Sequence, residues 1–184
     1  KRVQALAVFN AGQYYPDLSY MGMLVSDGEV VSSRPHPSFR AAMVAAPDRG
    51  PQDAKVLDLD RVPLGQARDE WREIAQSFML FDEQGRRRVK KTEQVAARTV
   101  VAQDRRGHLL VVTSEGGYTL WDFAELLQRG PLQLSHAMSM DGGHEAGLCV
   151  VAGRFRYGTF GRWDDKHPPD GAVPLPAVIA VMPR

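Results

Sequence analysis

The chain has 184 residues, 43% of them hydrophobic and 24% charged, which sizes it as one ordinary domain or at most two small ones and excludes a wholly disordered chain. Its 23 Lys and Arg stand against 22 Asp and Glu, a formal net charge of +1, so no global field draws it to nucleic acid or to an anionic membrane surface. No apolar run reaches the roughly 18 to 20 residues of a membrane span, and the single cysteine, Cys149, has no internal disulfide partner.

A domain of this size buries roughly 70% of its extended-chain surface and needs neither disulfide nor metal to fold. The sequence opens on Lys1 and enters an apolar run, with Val3, Leu6, Ala7, Val8 and Phe9, almost at once. That opening is read as a processed or trimmed start, with a leader or anchor removed and a first strand missing.

Short apolar runs then alternate with turn signals about every ten residues, the pattern of many strands. Residues 3–9 form the first. Residues 21–25 and 29–33 flank Ser26-Asp27-Gly28, and Asp-Gly between such runs predicts a tight hairpin. Residues 39–46 and 55–59, separated by Pro47-Asp48-Arg49-Gly50-Pro51, predict a second pair. Residues 66–76 place Ala67, Trp71, Ile74 and Ala75 at helical spacing, with Arg68, Asp69, Glu70, Arg72 and Glu73 elsewhere, and are expected as a helix. Residues 78–81 and 86–91 predict a hairpin across Asp82-Glu83-Gln84-Gly85, and residues 99–103 and 108–113 another across Asp104-Arg105-Arg106-Gly107.

The second helix is expected over residues 119–128. Leu120, Phe123, Ala124 and Leu127 share one face, Thr119 with Asp122 makes a variant capping box, and Gly130-Pro131 ends it. A strand over residues 136–140, the turn Asp141-Gly142-Gly143 and a strand over 148–152 follow. Residues 153–176, rich in Gly, Pro and charge, read as a long loop, and residues 177–182 as a buried closing strand. The sum is an α+β, β-rich single domain, with a curved mixed sheet and two principal helices that bury Trp71 and Phe123.

The segment with the most chemistry runs from His136 to Leu148. A strand ends in Asp141, two glycines follow, and Glu145 comes four residues after the aspartate. Glycosidic bond cleavage commonly uses two carboxylates, one as acid and one as base or nucleophile. A hairpin turn in which Asp141 caps backbone N–H groups is the plainer alternative. His136, Asp141, His144 and Glu145 are metal-capable side chains, but their spacing matches no metal motif, and no metal or cofactor is assigned.

Arg86-Arg87-Arg88-Val89-Lys90-Lys91 has no interleaved aromatics and is flanked by Asp82, Glu83 and Glu93. It reads as a solvated hairpin arm rather than a nucleic-acid stripe. Cys149, between Leu148 and Val150, reads as a buried structural thiol. Gly-x-Gly-x-x-Gly, Gly-x-Ser-x-Gly and Walker loops are absent from the sequence, against nucleotide binding and serine hydrolysis.

Five blocks in order resemble the phosphodiester glycosidase domain. They are Asn10-Ala11-Gly12-Gln13-Tyr14-Tyr15, the hairpin at residues 22–28, Ala97-Arg98-Thr99 with its Asp104-x-x-Gly107 turn, and the helix at residues 118–127 leading to Asp141-Gly142-Gly143. The closing strand at residues 173–181 is the fifth. The resemblance covers about residues 7 to 182. The chain departs from the family pattern at Gln13, at Met140 before the aspartate, and at His144-Glu145, where a third glycine and a serine are usual.

The resemblance implies hydrolysis of a sugar-1-phosphodiester at its anomeric carbon, giving free sugar and a phosphomonoester. Asp141 would be the carboxylate at that carbon and Glu145 the second catalytic group. Asn10, Arg98, Gly142, Gly143 and His144 would bind substrate: Arg98 facing the phosphate, Asn10 orienting the sugar or phosphate, the two glycines offering backbone N–H groups. The implied partner is a glycosyl phosphodiester or cell-envelope glycan, met outside the cytoplasm. A carbohydrate- or envelope-binding module that has lost the chemistry is the alternative from another class. The plainer reading of the same residues has Asn10 and Arg98 bracing strand ends and an Arg98–Asp141 pairing that is purely structural.

Overall fold

The computed structural model describes residues 4–51, 53–161 and 174–183. Turn chemistry sets its hairpins. β2 (Gly22–Ser26) and β3 (Glu29–Arg34) pair with Ser26 opposite Glu29. The two residues between them, Asp27 and Gly28, both have positive φ, 51° and 81°, the backbone of a turn whose twist matches the flanking strands. β4 (Ala41–Pro47) pairs with β5 (Ala54–Asp58), and β7 (Arg98–Asp104) with β8 (Leu109–Thr113).

The 66–76 stretch is a correction. Helix α1 covers only Leu64–Glu70, and Trp71 starts β6 (Trp71–Phe81). β6 hydrogen-bonds with β2, β4 and β9 (Leu134–Gly142). It is buried through most of its length, so its apolar residues do not alternate, and their spacing mimics a helix. Trp71 is buried all the same, against Ala67 and Ile74 in one core cluster.

α2 (Leu120–Arg129) forms as its sequence requires. Thr119 Oγ1 accepts from Asp122 N–H at 3.0 Å and donates to Asp122 Oδ2 at 2.8 Å, and Gly130 caps the other end. Phe123, Ala124 and Leu127 pack on Leu80, Val100, Ala102 and Ala137.

Two sheets result. The larger runs β3-β2-β6-β9-β7-β8, with β4 and β5 attached to β6; the smaller runs β11-β10-β1-β12. The smaller contains β1 (Ala7–Asn10), β10 (Gly147–Ala152), β11 (Phe155–Phe160) and β12 (Val178–Val181). Every strand pairing among the described residues is antiparallel, where a mixed sheet was expected. Hairpin connections account for β2–β3, β4–β5, β7–β8 and β10–β11; the other pairings join strands distant in sequence. The residues are nonetheless those of a β-rich α+β domain with two helices. α2 covers one face of the large sheet. Phe9, Leu148 and Ile179 of the small sheet pack on Val101, Met138 and Met140 on the other.

The 153–176 stretch, expected as loop, contains β11; its residues 162–173 lie outside the described ones. β12 is a sheet edge, not a buried strand, with Val178 49% exposed. Cys149 is half-buried rather than buried. The basic run is no free arm. Arg86 and Arg88 bond the buried Asp82, Arg88 also pairs with Asp60, and Arg87 bonds Glu125 and stacks over Trp121.

The cap is the simplest element to test. Thr119→Ala removes both bonds at the start of α2 and is expected to cost about 1 kcal/mol, lowering the melting temperature by roughly 2 to 4 °C. A thermal melt followed by circular dichroism checks it.

Candidate active site

Among the described residues the chain crosses between the sheets at residues 11–21 and 143–146. The candidate site is built where these crossings meet. Asn10, the last residue of β1, is 1% exposed. Its Nδ2 donates to the carbonyl of Asp141 at 3.0 Å and to that of Ala11 at 3.2 Å, and its Oδ1 accepts from Gly147 N–H at 3.0 Å. The Asp141 N–H donates back to Ala11 O at 3.1 Å. Asn10 therefore holds the backbone on both sides of the 142–146 turn, and its amide is committed to that.

The two glycines are shaped by β7. Gly142 pairs with Arg98 in the β7–β9 register, and a Cβ on it would stand 2.7 Å from Ala97 O. Gly143 has φ +74° and donates its N–H to Ala97 O at 2.8 Å. The Gly142 N–H is taken by Asp141 Oδ1 at 2.9 Å. Both N–H groups expected to face a phosphate thus have protein partners. The reason is register: β7 passes close beneath the turn and collects Gly143, while the aspartate folds back on Gly142.

Arg98, 7% exposed, is likewise engaged. Its Nε donates to Tyr118 O at 2.8 Å and one terminal nitrogen, Nη2, to Gln94 O at 2.8 Å. Burial lowers its pKa, and the nearby charge of Asp141 works against that. The guanidinium stays a cation, but two of its three nitrogens serve backbone carbonyls. Two of its five N–H donors are so used, and the other three, two on Nη1 and one on Nη2, are what it can offer a phosphate.

Asp141 is half-buried at the end of β9. Burial pushes its carboxyl up to about 6; the Gly142 N–H works against this, the Glu145 charge adds to it, and the Arg98 charge opposes it. A carboxyl in that range exchanges a proton near neutral pH, as a general acid or base must.

Glu145 ends the short 3-10 turn Gly143–Glu145, with His144 beside it, both half-buried. Its Oε1 accepts from the Tyr14 hydroxyl at 2.7 Å. Tyr14 stands in the other crossing and was not among the expected site residues. Its place in the Asn10-to-Tyr15 block is the only local signal for it. That hydrogen bond, before burial and the charges of Glu145 and Asp141, pushes the Tyr14 hydroxyl up to about 12. The buried Tyr20 hydroxyl is raised chiefly by desolvation. It accepts from Gly12 N–H and donates to Gln76 O.

The structure thus brings Asn10, Arg98, Gly142, Gly143, Asp141 and Glu145 into one neighbourhood. His136 lies apart from them, its Nε2 3.0 Å from Val56 O. No group of three or more His, Cys, Asp or Glu side chains among the described residues is arranged to hold a metal ion. Two clefts, of about 770 and 440 Å³, open elsewhere. One is lined by Asp48, Arg49, Asp53, Lys55 and Trp71, the other by Lys55, Asp58, Arg61, Glu83 and His136. Their size does not outweigh the carboxylate chemistry gathered at residues 141–145, because each is lined by charges of both signs and Lys55 lies over the Trp71 ring.

A family model described as phosphodiester glycosidase matches residues 4–182. Among solved structures, the chain is similar to the zebrafish N-acetylglucosamine-1-phosphodiester alpha-N-acetylglucosaminidase catalytic domain auto-inhibited by pro-peptide. The TM-score is 0.64 and the identity 19%, and the likeness covers 98% of this chain and 64% of that one. At that identity the likeness is one of fold. No curated protein matches the chain.

The raised Asp141 carboxyl has a consequence for stability. The fold holds this proton more tightly than the unfolded chain, whose value is 3.8 against about 6. The group's contribution is therefore fully present below about pH 4 and lost as pH rises through about 6. Asp141→Asn keeps an acceptor for Gly142 and removes the buried charge. Relative to wild type, it is expected to gain stability between those limits and hold the gain above them, on the order of 3 kcal/mol at most. Melts of both proteins across pH 4 to 8 check this; a difference that does not change with pH would contradict it.

Proposed function

The chain belongs to the phosphodiester glycosidase family, and from that premise we propose that it hydrolyses a sugar-1-phosphodiester at the anomeric carbon. The observation that carries the proposal is the carboxylate pair of Asp141 and Glu145, one with its pKa raised to about 6, on a turn shared with Gly142 and Gly143.

The bond broken is that between the anomeric carbon and the phosphate oxygen. Water attacks the carbon, its proton passes to Asp141, and the phosphomonoester leaves with the bonding electron pair. Phosphate is a good leaving group, so protonating it matters less than in ordinary glycosides. What the oxocarbenium-like transition state needs is negative charge near the carbon and a placed water. Asp141 supplies the base and Glu145 the second carboxylate.

Arg98 contributes charge and its remaining N–H donors. Its Nη1, the nitrogen without a backbone carbonyl, meets the substrate phosphate, with the second N–H of Nη2 beside it. Asn10 acts through the backbone it holds, and the glycines keep the turn thin against β7. His144, on the same turn, is assigned to the sugar. The natural substrate we propose is a cell-envelope glycan phosphodiester outside the cytoplasm; family membership supports the glycan part of that reading alone.

Release of reducing sugar from a panel of sugar-1-phosphodiesters tests the proposal. Wild-type kcat/KM is expected to rise as pH passes about 6, because Asp141 must be ionised to accept a proton. Asp141→Asn is expected to lose about a hundredfold or more, about 3 kcal/mol of transition-state stabilisation. Turnover by Asp141→Asn close to wild type would remove Asp141 from the mechanism, and saturable binding of the diester without turnover would favour the binding module.

A further inference from the structure

We propose that Tyr14 is a positioning residue of the carboxylate pair: its hydroxyl fixes the Glu145 carboxylate beside Asp141, and the Gln13 amide holds the loop that carries it. The effect on turnover rests on the glycosidase reading above; the clamp itself rests on geometry.

Tyr14 and Glu145 lie 131 positions apart and meet at 2.7 Å, an ordinary separation for an O–H···O bond. Each comes from a different crossing between the sheets, so this bond joins the crossings side chain to side chain. Glu145 needs such help. It sits on a turn of three residues, half-exposed, and a free glutamate side chain samples many rotamers that a fixed partner removes.

Tyr14 is the better-anchored partner. It bridges Tyr20 across a small antiparallel pair, with Tyr15 N–H to Ser19 O at 2.9 Å and Met21 N–H to Gln13 O at 2.8 Å. Tyr20 is tied in turn to Gly12 and Gln76. Gln13, the residue that departs from the family's aromatic block, makes the decisive attachment. Its Nε2 donates to Met140 O at 3.2 Å, immediately before Asp141, and its Oε1 accepts from Ser77 Oγ at 3.2 Å. The Tyr14 loop is thereby fastened to the strand that delivers Asp141. One set of bonds places both carboxylates relative to each other. The raised Tyr14 pKa, about 12, keeps the hydroxyl a donor throughout the neutral range.

The test uses the whole chain in four forms: wild type, Tyr14→Phe, Glu145→Ala and the double variant. NMR of ¹³Cζ-labelled tyrosine identifies the Tyr14 resonance by its loss in Tyr14→Phe. In wild type this resonance is expected to stay in the protonated form to about pH 11, and in Glu145→Ala to titrate at clearly lower pH, with burial and the Asp141 charge still holding it above the ordinary value of about 10. In turnover assays, Tyr14→Phe is expected to lower kcat about tenfold with KM changed by less than about twofold. In the Glu145→Ala background the same change is expected to matter less than about twofold.

A Tyr14 resonance that titrates near 10 in wild type, or that does not respond to Glu145→Ala, overturns the clamp. Losses that multiply overturn it too, since Tyr14 would then act on the substrate itself. If the resonance responds as expected and no form turns over any diester, the clamp is upheld and the hydrolase reading fails.

Discussion

The side-chain amide of Asn10 donates from Nδ2 to Asp141 O near the end of β9 and accepts at Oδ1 from Gly147 N–H at the start of β10. β9 belongs to the large sheet and β10 to the small one. A single planar group therefore sets the width of the turn by which the chain leaves one sheet for the other. Because the amide is buried, each of these bonds, if lost, would leave a polar group without water, at about 1 to 3 kcal/mol apiece. The backbone positions of Asp141 and Gly147, at the two ends of that turn, follow from that fixed width.

The sheets divide the sequence in an orderly way. Every strand of the large sheet falls between residues 22 and 142, and every strand of the small sheet falls before or after that interval. The described crossings lie side by side, and the chemistry gathers on them. The electrostatics have the same origin. Asp141 is raised because the packed sheets shield it from water, and Arg98 opposes that from the first residue of β7. Arg98 is rigid because it braces Tyr118 and Gln94, so its charge stays beside the aspartate. The bracing role and the electrostatic role belong to the same side chain.

What the sequence revealed depended on whether the cause was local. Asp27-Gly28 and Thr119-x-x-Asp122 act through their own neighbours, and the hairpin and the capped helix are where the sequence puts them. β6 was hidden because a strand with partners on both sides and burial through most of its length has no period of two. β11 was hidden because Gly, Arg and exposed aromatics in an edge strand resemble loop composition. The meeting of Asn10, Arg98 and Asp141 was expected from family blocks; no spacing could imply it. The directions of the Gly142 and Gly143 N–H groups were not legible, since Ala97 O and the returning aspartate are set by tertiary register. Tyr14 was visible as a residue and invisible as a partner, because nothing near it in sequence points to position 145.

The division of strands between the sheets also bears on how the protein acquires its site. Closing a loop of 131 residues, from Asn10 to Asp141, costs about 3 kcal/mol more chain entropy than closing a hairpin of a few residues. The hairpins of the large sheet are local and cheap to form, whereas the small sheet requires distant segments to find each other, the slow kind of contact. A chain that has completed only the large sheet already carries Asp141 on β9, but it has no Asn10 amide across the turn and no Tyr14 against Glu145. The Asn10 amide across the turn and the Tyr14 bond to Glu145 are properties of the finished topology, and a nascent or partly unfolded chain has neither.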